Sequence, residues 1–200
     1  MAKQDPAHDW PHIERVRDMA LRIASKEGGN RPIIELAALV HDVGDRKAHG
    51  SEEEGNLAVC HLLSSCGVPD IFFNAVTDIA RRVSFKGLRV PDDMPTLDGK
   101  IVQDADRLDA IGAIAIARTF SWGGSKGRKI HDPDEVLFIA DNADAYYAHG
   151  GRTSINHFHE KLLHLQGRLH TETAKRIGMQ RHEFMQSFLR QFDDEWHGRV

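Results

Sequence analysis

Apolar residues recur every three or four positions along most of the chain, a spacing typical of α-helices that bury one face. This periodicity predicts a first helix over residues 12–26, which the glycine pair beginning at Gly28 ends. Pro32 begins a second helix, because proline is favoured in the first helical turn. The second helix stops at Gly44, and its body over residues 33–40 is apolar almost all round. We therefore expect that helix to lie centrally in the fold.

Five further helices follow from the same periodicity, whereas strand signals are nearly absent. They are predicted at residues 51–67, from Pro69 onward, at residues 101 to about 120, at residues 134–148, and at residues 156–196, where the helix is broken or bent near Gly167. A capping box formed by Ser51 and Glu54 opens the first of these. Glycine and proline breaks predict loops at residues 85–99 and 123–129. The expected fold class is all-α, an irregular helical bundle.

Length and composition are those of a globular protein. Of the 200 residues, 40% are hydrophobic and 28% are charged, which is enough to build a core. Because no linker is long enough to separate domains, we expect a single domain over residues 1–200. Its core is expected at about residues 8–120, with a C-terminal helical extension at about residues 134–197. The charge pattern is compatible with a monomer or a dimer.

Hydropathy and charge argue against two classes of partner. No apolar run approaches the roughly 18 residues that a membrane span needs, and the N-terminus lacks the apolar core of a signal peptide. The two cysteines, Cys60 and Cys66, make no disulfide framework and fit a reducing compartment. The expected location is therefore cytoplasmic, with no membrane partner. The net charge is −4 without a basic block, so a nucleic-acid polymer is not an expected partner.

The first polar intrusion into an apolar segment is His41-Asp42, at the end of the second predicted helix. A charged carboxylate beside a core is costly unless it is paired or binds a metal. The chain also contains 13 histidines, and imidazole is the commonest metal ligand. A functional site and a buried, hydrogen-bonded structural pair are both open on this context alone.

A second polar intrusion, Asp104-Ala-Asp106-Arg107-Leu-Asp109, lies inside the apolar helix predicted from residue 101. Three carboxylates in six residues are hard to explain by packing. On a helix Asp106 and Asp109 share a face, whereas Asp104 points nearly opposite. The alternative is a solvated face on which Arg107 pairs with a neighbouring acid.

Taken together, these segments resemble the HD superfamily of metal-dependent phosphohydrolases, and in particular its small stand-alone hydrolases. The resemblance is carried by His12-Ile-Glu-Arg15-Val16, Ala38-Leu-Val-His41-Asp42-Val-Gly44, Gln103-Asp-Ala-Asp106-Arg107-Leu-Asp-Ala-Ile-Gly112, Gly123-Gly-Ser125, His131-Asp-Pro133, Asn156-His-Phe-His-Glu-Lys-Leu-Leu163 and residues 171–196. It therefore covers nearly the whole chain and implies the HD-domain helical bundle. The chain departs from the family pattern at His159, where tyrosine is expected.

The resemblance implies one divalent metal ion held by four side chains. The family signature is one histidine, an adjacent His-Asp pair and a distant aspartate. The matching residues here are His12, His41, Asp42 and Asp106. Two imidazoles and two carboxylates suit Mn²⁺, Co²⁺, Ni²⁺, Fe²⁺ or Zn²⁺, and Mg²⁺ less well because of the histidines. Four protein ligands on a six-coordinate ion leave positions for water and a substrate oxygen.

Further residues are expected to act on the water and on the substrate. The resemblance implies that Asp45 positions the attacking water; the alternative is a surface acid at a helix end. Arg107, which follows Asp106, is expected to assist catalysis. The residues expected to bind substrate phosphates are Arg15, Lys86, Ser125, Lys126 and Arg128. The last three belong to a short basic, glycine-containing loop suited to a polyphosphate; the alternative is an ordinary solvated loop.

The activity implied by the resemblance is hydrolysis of a phosphate ester or anhydride by metal-activated water. The expected substrate is a small phosphorylated molecule, with nucleotides as the leading class and cleavage of a nucleoside triphosphate to release pyrophosphate as the favoured reaction. The alternatives are a nucleoside monophosphate phosphatase and a catalytically silent nucleotide-binding or signalling module. A (p)ppGpp-type hydrolase fits less well, because Val43-Gly44-Asp45 follows the His-Asp pair in place of a double-acid run.

Overall fold

The computed structural model describes residues 9–44, 49–142, 144–145 and 153–200. These residues include eight α-helices with both ends defined. They are α1 (Trp10–Glu27), α2 (Arg31–Val40), α3 (Glu52–Ser65), α4 (Phe73–Val83), α5 (Leu97–Asp109), α6 (Ala113–Ser125), α7 (Ser154–Glu160) and α8 (Glu172–Trp196). Short 3₁₀ turns lie at Asp70–Phe72, Leu162–His164 and Gln166–Arg168. The described residues contain no β-strand, only one isolated bridge between Lys129 and Thr153. The all-α class is therefore confirmed.

Polar side chains cap the N-termini of α1 and α3. The Asp9 carboxylate accepts a hydrogen bond from the His12 backbone N–H at 3.0 Å. The Ser51 hydroxyl accepts one from the Glu54 N–H at 3.2 Å, as the capping box predicts. Each bond satisfies a backbone donor that a first helical turn leaves open.

One long helix predicted from residue 101 to about residue 120 is wrong, because the chain breaks between α5 and α6. Gly112 lies at the break with a φ of 92°, a backbone conformation that glycine adopts readily and other residues rarely do. A Cβ at this position would lie 3.1 Å from two side-chain carbons of Arg181. The Arg181 guanidinium also donates to the carbonyl of Leu108, in the last turn of α5. A distant arginine therefore packs where the helix ends.

The helix predicted over residues 134–148 is wrong for the described residues 134–142, which are not helical. Side chains from α7 bind the backbone of this segment instead. The Asn156 amide donates to the Glu135 carbonyl at 3.4 Å and to its carboxylate at 3.0 Å. The Phe138 N–H donates to a carboxylate oxygen of Glu160 at 3.1 Å. The bonds at the Glu135 carbonyl and the Phe138 N–H use backbone groups that a helix would pair internally.

The chain divides into two compact units, and the first comprises His8–Phe85 and Pro91–Asp106. In this unit α2 packs against both α1 and α4, and α4 also packs against α3. This arrangement agrees with the central position expected for α2. The buried apolar side chains of the unit include Val16, Ala20, Ile23, Ile34, Ala37, Ala38, Val59, Leu63, Val76, Ile79, Ile101 and Val102.

The second unit includes Lys86–Val90 and Arg107–Val200. Within it α6 packs against both α7 and α8. Phe120, Phe158 and Phe188 form an aromatic cluster, with ring centroids 5.9 to 6.1 Å apart. The expectation of a single domain over the whole chain stays a prediction. No helix among the described residues has the length and apolar character needed to cross a membrane.

Candidate metal centre

Three segments of the first unit bring four of the predicted side chains together. His12 lies in the first turn of α1, His41 and Asp42 occupy the turn that follows α2, and Asp106 lies in the last turn of α5. The two imidazoles are buried, with 2% and 1% of their side-chain surface exposed. The carboxylates of Asp42 and Asp106 are 18% and 27% exposed. The cluster is therefore buried on its histidine side and partly open to solvent on its carboxylate side.

The polar atoms of these side chains face one another at short distances. The Nε2 atoms of His12 and His41 are 3.3 Å apart. One Asp42 oxygen lies 3.4 Å from the His12 Nε2, and the other lies 3.5 Å from the His41 Nε2. One Asp106 oxygen lies 3.7 and 3.8 Å from the same two nitrogens. Both carboxylates thus converge on the pair of imidazole nitrogens.

These separations fit donors that share one metal ion. Nitrogen ligands lie about 2.1 Å from a zinc ion, so two such ligands at an angle of about 90–110° are roughly 3.0–3.4 Å apart. Donor atoms of His12, His41 and Asp42 all lie within 4.8 Å of one another. Asp106 adds a fourth oxygen within 3.8 Å of both nitrogens. The residues present therefore fit a divalent cation.

A backbone hydrogen bond fixes the ring of His41 for this task. Its Nδ1 lies 2.7 Å from the carbonyl oxygen of Ala38, and a carbonyl can only accept, so Nδ1 carries the proton. The other ring nitrogen, Nε2, then faces the cluster, which is the arrangement that metal-binding histidines use. No motif in the sequence marks Ala38 for this role. The three-residue spacing at the end of α2 is the only sequence signal for it.

The acids around Asp106 have other surroundings. Asp104 is fully buried and Asp109 is 5% exposed, so the alternative of a solvated acidic face is wrong. The Asp109 carboxylate pairs with the guanidinium of Arg118. Among the three acids, Asp106 is the one whose oxygen lies beside His12 and His41.

The other predicted site residues fall in different parts of the chain. Asp45 lies outside the described residues, and its role stays a prediction. Arg15 is half-buried on α1, one turn after His12 in the first unit. The remaining five belong to the second unit and are Lys86, Arg107, Ser125, Lys126 and Arg128.

Two arginines fix the segment that contains Lys86. The Arg168 guanidinium donates to the carbonyls of Gly87 and Val90, both at 3.2 Å, and also to that of Leu88. Arg107 in turn donates to the backbone carbonyl of Arg168. The assignment of Arg107 to catalysis stays a prediction. Sequence reasoning missed Arg168, because its partners lie about 80 residues away along the chain.

The predicted basic loop begins later than the sequence suggests, because α6 continues to Ser125. The Ser125 hydroxyl donates to the carbonyl of Trp122 at 2.7 Å. The Trp122 ring contacts two cations: the Arg128 guanidinium lies 4.1 Å from the ring centroid and the Lys126 ammonium 5.9 Å. Such cation–π contacts restrict where the two charges point. Phosphate binding by these residues stays a prediction.

His159, where the family pattern predicts tyrosine, lies at the surface of α7. Partial burial lowers the pKa of His159, and the nearby His164 and His131 lower it further. Its ring is therefore uncharged at neutral pH. The His164 Nε2 donates to the carbonyl of His159 at 2.8 Å, so these two residues are also linked through the backbone.

Residues 10–111 match the sequence model of the HD domain family. The chain is 36% identical over 196 residues to the uncharacterised protein YpgQ of Bacillus subtilis, which covers 98% of this chain and 87% of that protein.

The chain is also similar to solved structures, one of which is described as an HD-superfamily hydrolase. An HD-superfamily hydrolase of Bacillus thuringiensis is 42% identical and superimposes with a TM-score of 0.71, covering 95% of this chain and 87% of that one. A Lactobacillus plantarum protein is 34% identical with a TM-score of 0.84, covering 98% and 91%. YpgQ in complex with ADP is 35% identical with a TM-score of 0.73, covering 94% and 90%.

Proposed function

This chain belongs to the HD domain family, and from that premise we propose that it is a divalent-metal-dependent phosphohydrolase. The observation that carries the proposal is the convergence of two buried imidazoles and two partly exposed carboxylates, from His12, His41, Asp42 and Asp106. Imidazole and carboxylate donors together suit Mn²⁺, Co²⁺, Ni²⁺, Fe²⁺ or Zn²⁺ better than Mg²⁺. The half-open carboxylate side leaves an approach for water and substrate.

The charge of this set suits an anionic substrate. Two aspartates contribute −2 and the histidines are neutral as ligands, so one divalent cation leaves no net charge to repel phosphate. When bound, the ion polarises a phosphoryl oxygen and lowers the pKa of a water molecule. The chain's own part is to hold that ion with His12, His41, Asp42 and Asp106, and to orient the phosphate.

The proposed substrate is a nucleotide, with release of pyrophosphate from a nucleoside triphosphate as the favoured reaction. The ADP complex of YpgQ supports this class, because that relative is 35% identical to the chain. In this proposal Asp45 positions the water that attacks phosphorus. Arg15, Lys86, Ser125, Lys126 and Arg128 supply the cations and the hydroxyl that hold the phosphates, because guanidinium and ammonium groups are strong phosphate donors.

The test of this function is a panel of nucleoside mono-, di- and triphosphates assayed with Mn²⁺, Co²⁺, Ni²⁺ or Mg²⁺. Release of pyrophosphate from a triphosphate is the expected result. Release of inorganic phosphate from monophosphates would replace the proposal with a phosphatase. Tight nucleotide binding without any release would instead indicate a nucleotide-binding module that has no catalytic activity.

The basic segment after α6 allows a separate prediction. Replacing Lys126 and Arg128 together by alanine is expected to raise KM for the triphosphate about tenfold, equivalent to about 1.4 kcal/mol, because two phosphate partners are lost. We expect kcat and the affinity for Mn²⁺ to change little. The measurement is steady-state kinetics beside the control Lys175→Ala, which removes a surface cation paired with Glu172 at 2.8 Å. An unchanged KM in the double variant would remove this segment from the substrate site.

A further inference from the structure

The turn that carries His41 and Asp42 lies beyond the last residue of α2. The Val43 N–H donates to the Val40 carbonyl at 3.0 Å, and residues 41–44 form a turn rather than a further turn of α-helix. We therefore expect the position of the Asp42 carboxylate to depend also on what packs against the far end of the turn.

At Gly44, the far end of this turn packs backbone to backbone against α3. A Cβ placed on Gly55 of α3 would lie 2.3 Å from the carbonyl oxygen of Gly44 and 3.0 Å from its carbonyl carbon. Ordinary contacts begin near 3.4 Å, so any side chain at residue 55 displaces the turn or the helix by about 1 Å. The opposing atoms are backbone, which cannot rotate away. Gly55 is itself buried.

A side chain also forms a hydrogen bond with the backbone of the same turn. The Nε2 of His49 lies 2.6 Å from the carbonyl oxygen of Val43. Because a carbonyl only accepts, the His49 ring donates this bond. Val43 adjoins Asp42 in the chain and Gly44 follows it, so the contacts of His49 and Gly55 both lie within two residues of Asp42.

We propose that Gly55 and His49 are positioning residues of the metal site, holding the His41–Gly44 turn so that Asp42 converges with His12. Neither residue is one of the four proposed ligands. Both act through the backbone of Val43 and Gly44. The inference rests on the proposed metal-dependent function, and it adds α3 to the elements that determine metal affinity.

The expected effects are large because ligand geometry tolerates little movement. Residues that orient metal ligands typically change metal affinity about 10-fold to 100-fold when replaced. We therefore expect Gly55→Ala to weaken Mn²⁺ binding at least about tenfold. We expect His49→Leu, which removes the donor, to weaken it also, whereas His49→Gln, which keeps an amide donor, stays near the wild type.

The experiment is calorimetric titration of Mn²⁺ into the full-length protein after chelation, with thermal unfolding measured on each apoprotein. Gly124→Ala is the matched control, because Gly124 is also helical and nothing lies within 4 Å of a Cβ placed there. If Gly55→Ala does not fold, the comparison of His49→Leu with His49→Gln decides alone. Neither measurement requires turnover of a substrate.

Weaker Mn²⁺ binding by Gly55→Ala and His49→Leu, with His49→Gln and Gly124→Ala at the wild-type value, supports the inference. Variants that lose thermal stability but bind Mn²⁺ like the wild type overturn it and leave the proposed function standing. A wild-type protein that binds no Mn²⁺ overturns the inference together with the proposed metal site. Metal binding that weakens in the variants supports the inference even if the nucleotide panel gives no product.

Discussion

Replacing Asp42 by alanine is expected to reduce nucleotide hydrolysis at least about 10³-fold and to weaken Mn²⁺ binding at least about 100-fold. The loss exceeds the effect of a residue that only orients a ligand, which is about 10-fold to 100-fold in metal affinity. The physical reason is that its two oxygens lie 3.4 Å from the His12 Nε2 and 3.5 Å from the His41 Nε2. Asp106, in contrast, places a single oxygen 3.7 and 3.8 Å from these two nitrogens.

The measurement is pyrophosphate release together with Mn²⁺ titration, on protein that is shown by circular dichroism to be folded. Asp18→Ala is the matched control, because Asp18 lies on α1 with 71% of its side chain exposed. The expected outcome is full activity in the Asp18 variant and the large loss of activity stated above in the Asp42 variant. An active Asp42→Ala protein would show that the cluster is not the catalytic metal site.

Removal of the metal by a chelator is expected to abolish activity and to lower the melting temperature. A ligand at 100 times its Kd stabilises the folded state by about 2.7 kcal/mol. For a chain of this size that corresponds to about 5–10 °C in Tm. Adding Mn²⁺, Co²⁺ or Ni²⁺ should restore both quantities, and Mg²⁺ should restore them less well because two of the proposed ligands are imidazoles.

The measurement is differential scanning calorimetry of chelated protein with and without each cation, paired with the activity assay. Asp42→Ala serves as the specificity control, because its Tm should no longer respond to added metal. Hydrolysis that persists unchanged in a chelator would contradict metal-dependent catalysis. A Tm that rises equally in Asp42→Ala would place the bound cation elsewhere.

The sequence predicts those parts of the fold whose causes are local. Ser51 and Glu54 are three residues apart, so their capping box can be recognised along the chain and is present in the structure. The break at Gly112 has no such signal, because the side chain that packs there is Arg181, far along the chain. Residues 134–142 carry helical apolar spacing, but the side chains of α7 take up their backbone groups.

The candidate site also has one part that the sequence predicts and another part that depends on distant contacts. His12, His41, Asp42 and Asp106 are predicted because their residue types and order match a family signature. Their convergence is a property of the fold, since three separate segments bring them together. The contacts that hold these ligands in place cannot be predicted from the sequence. The contact of Gly55 with the turn joins two backbones and therefore depends on the path of the chain rather than on a motif.

The hydrogen bonds from Arg168 to Gly87, Leu88 and Val90 also limit when the chain can finish folding during synthesis. They join residues 78 to 81 positions apart. At a synthesis rate of about 5–20 residues per second, roughly 4–16 s pass between the addition of the Lys86–Val90 segment and the addition of Arg168. For that interval these carbonyls must find other partners, such as water. A nascent chain halted before residue 168 is thus expected to leave this segment more accessible to proteases than the finished protein does.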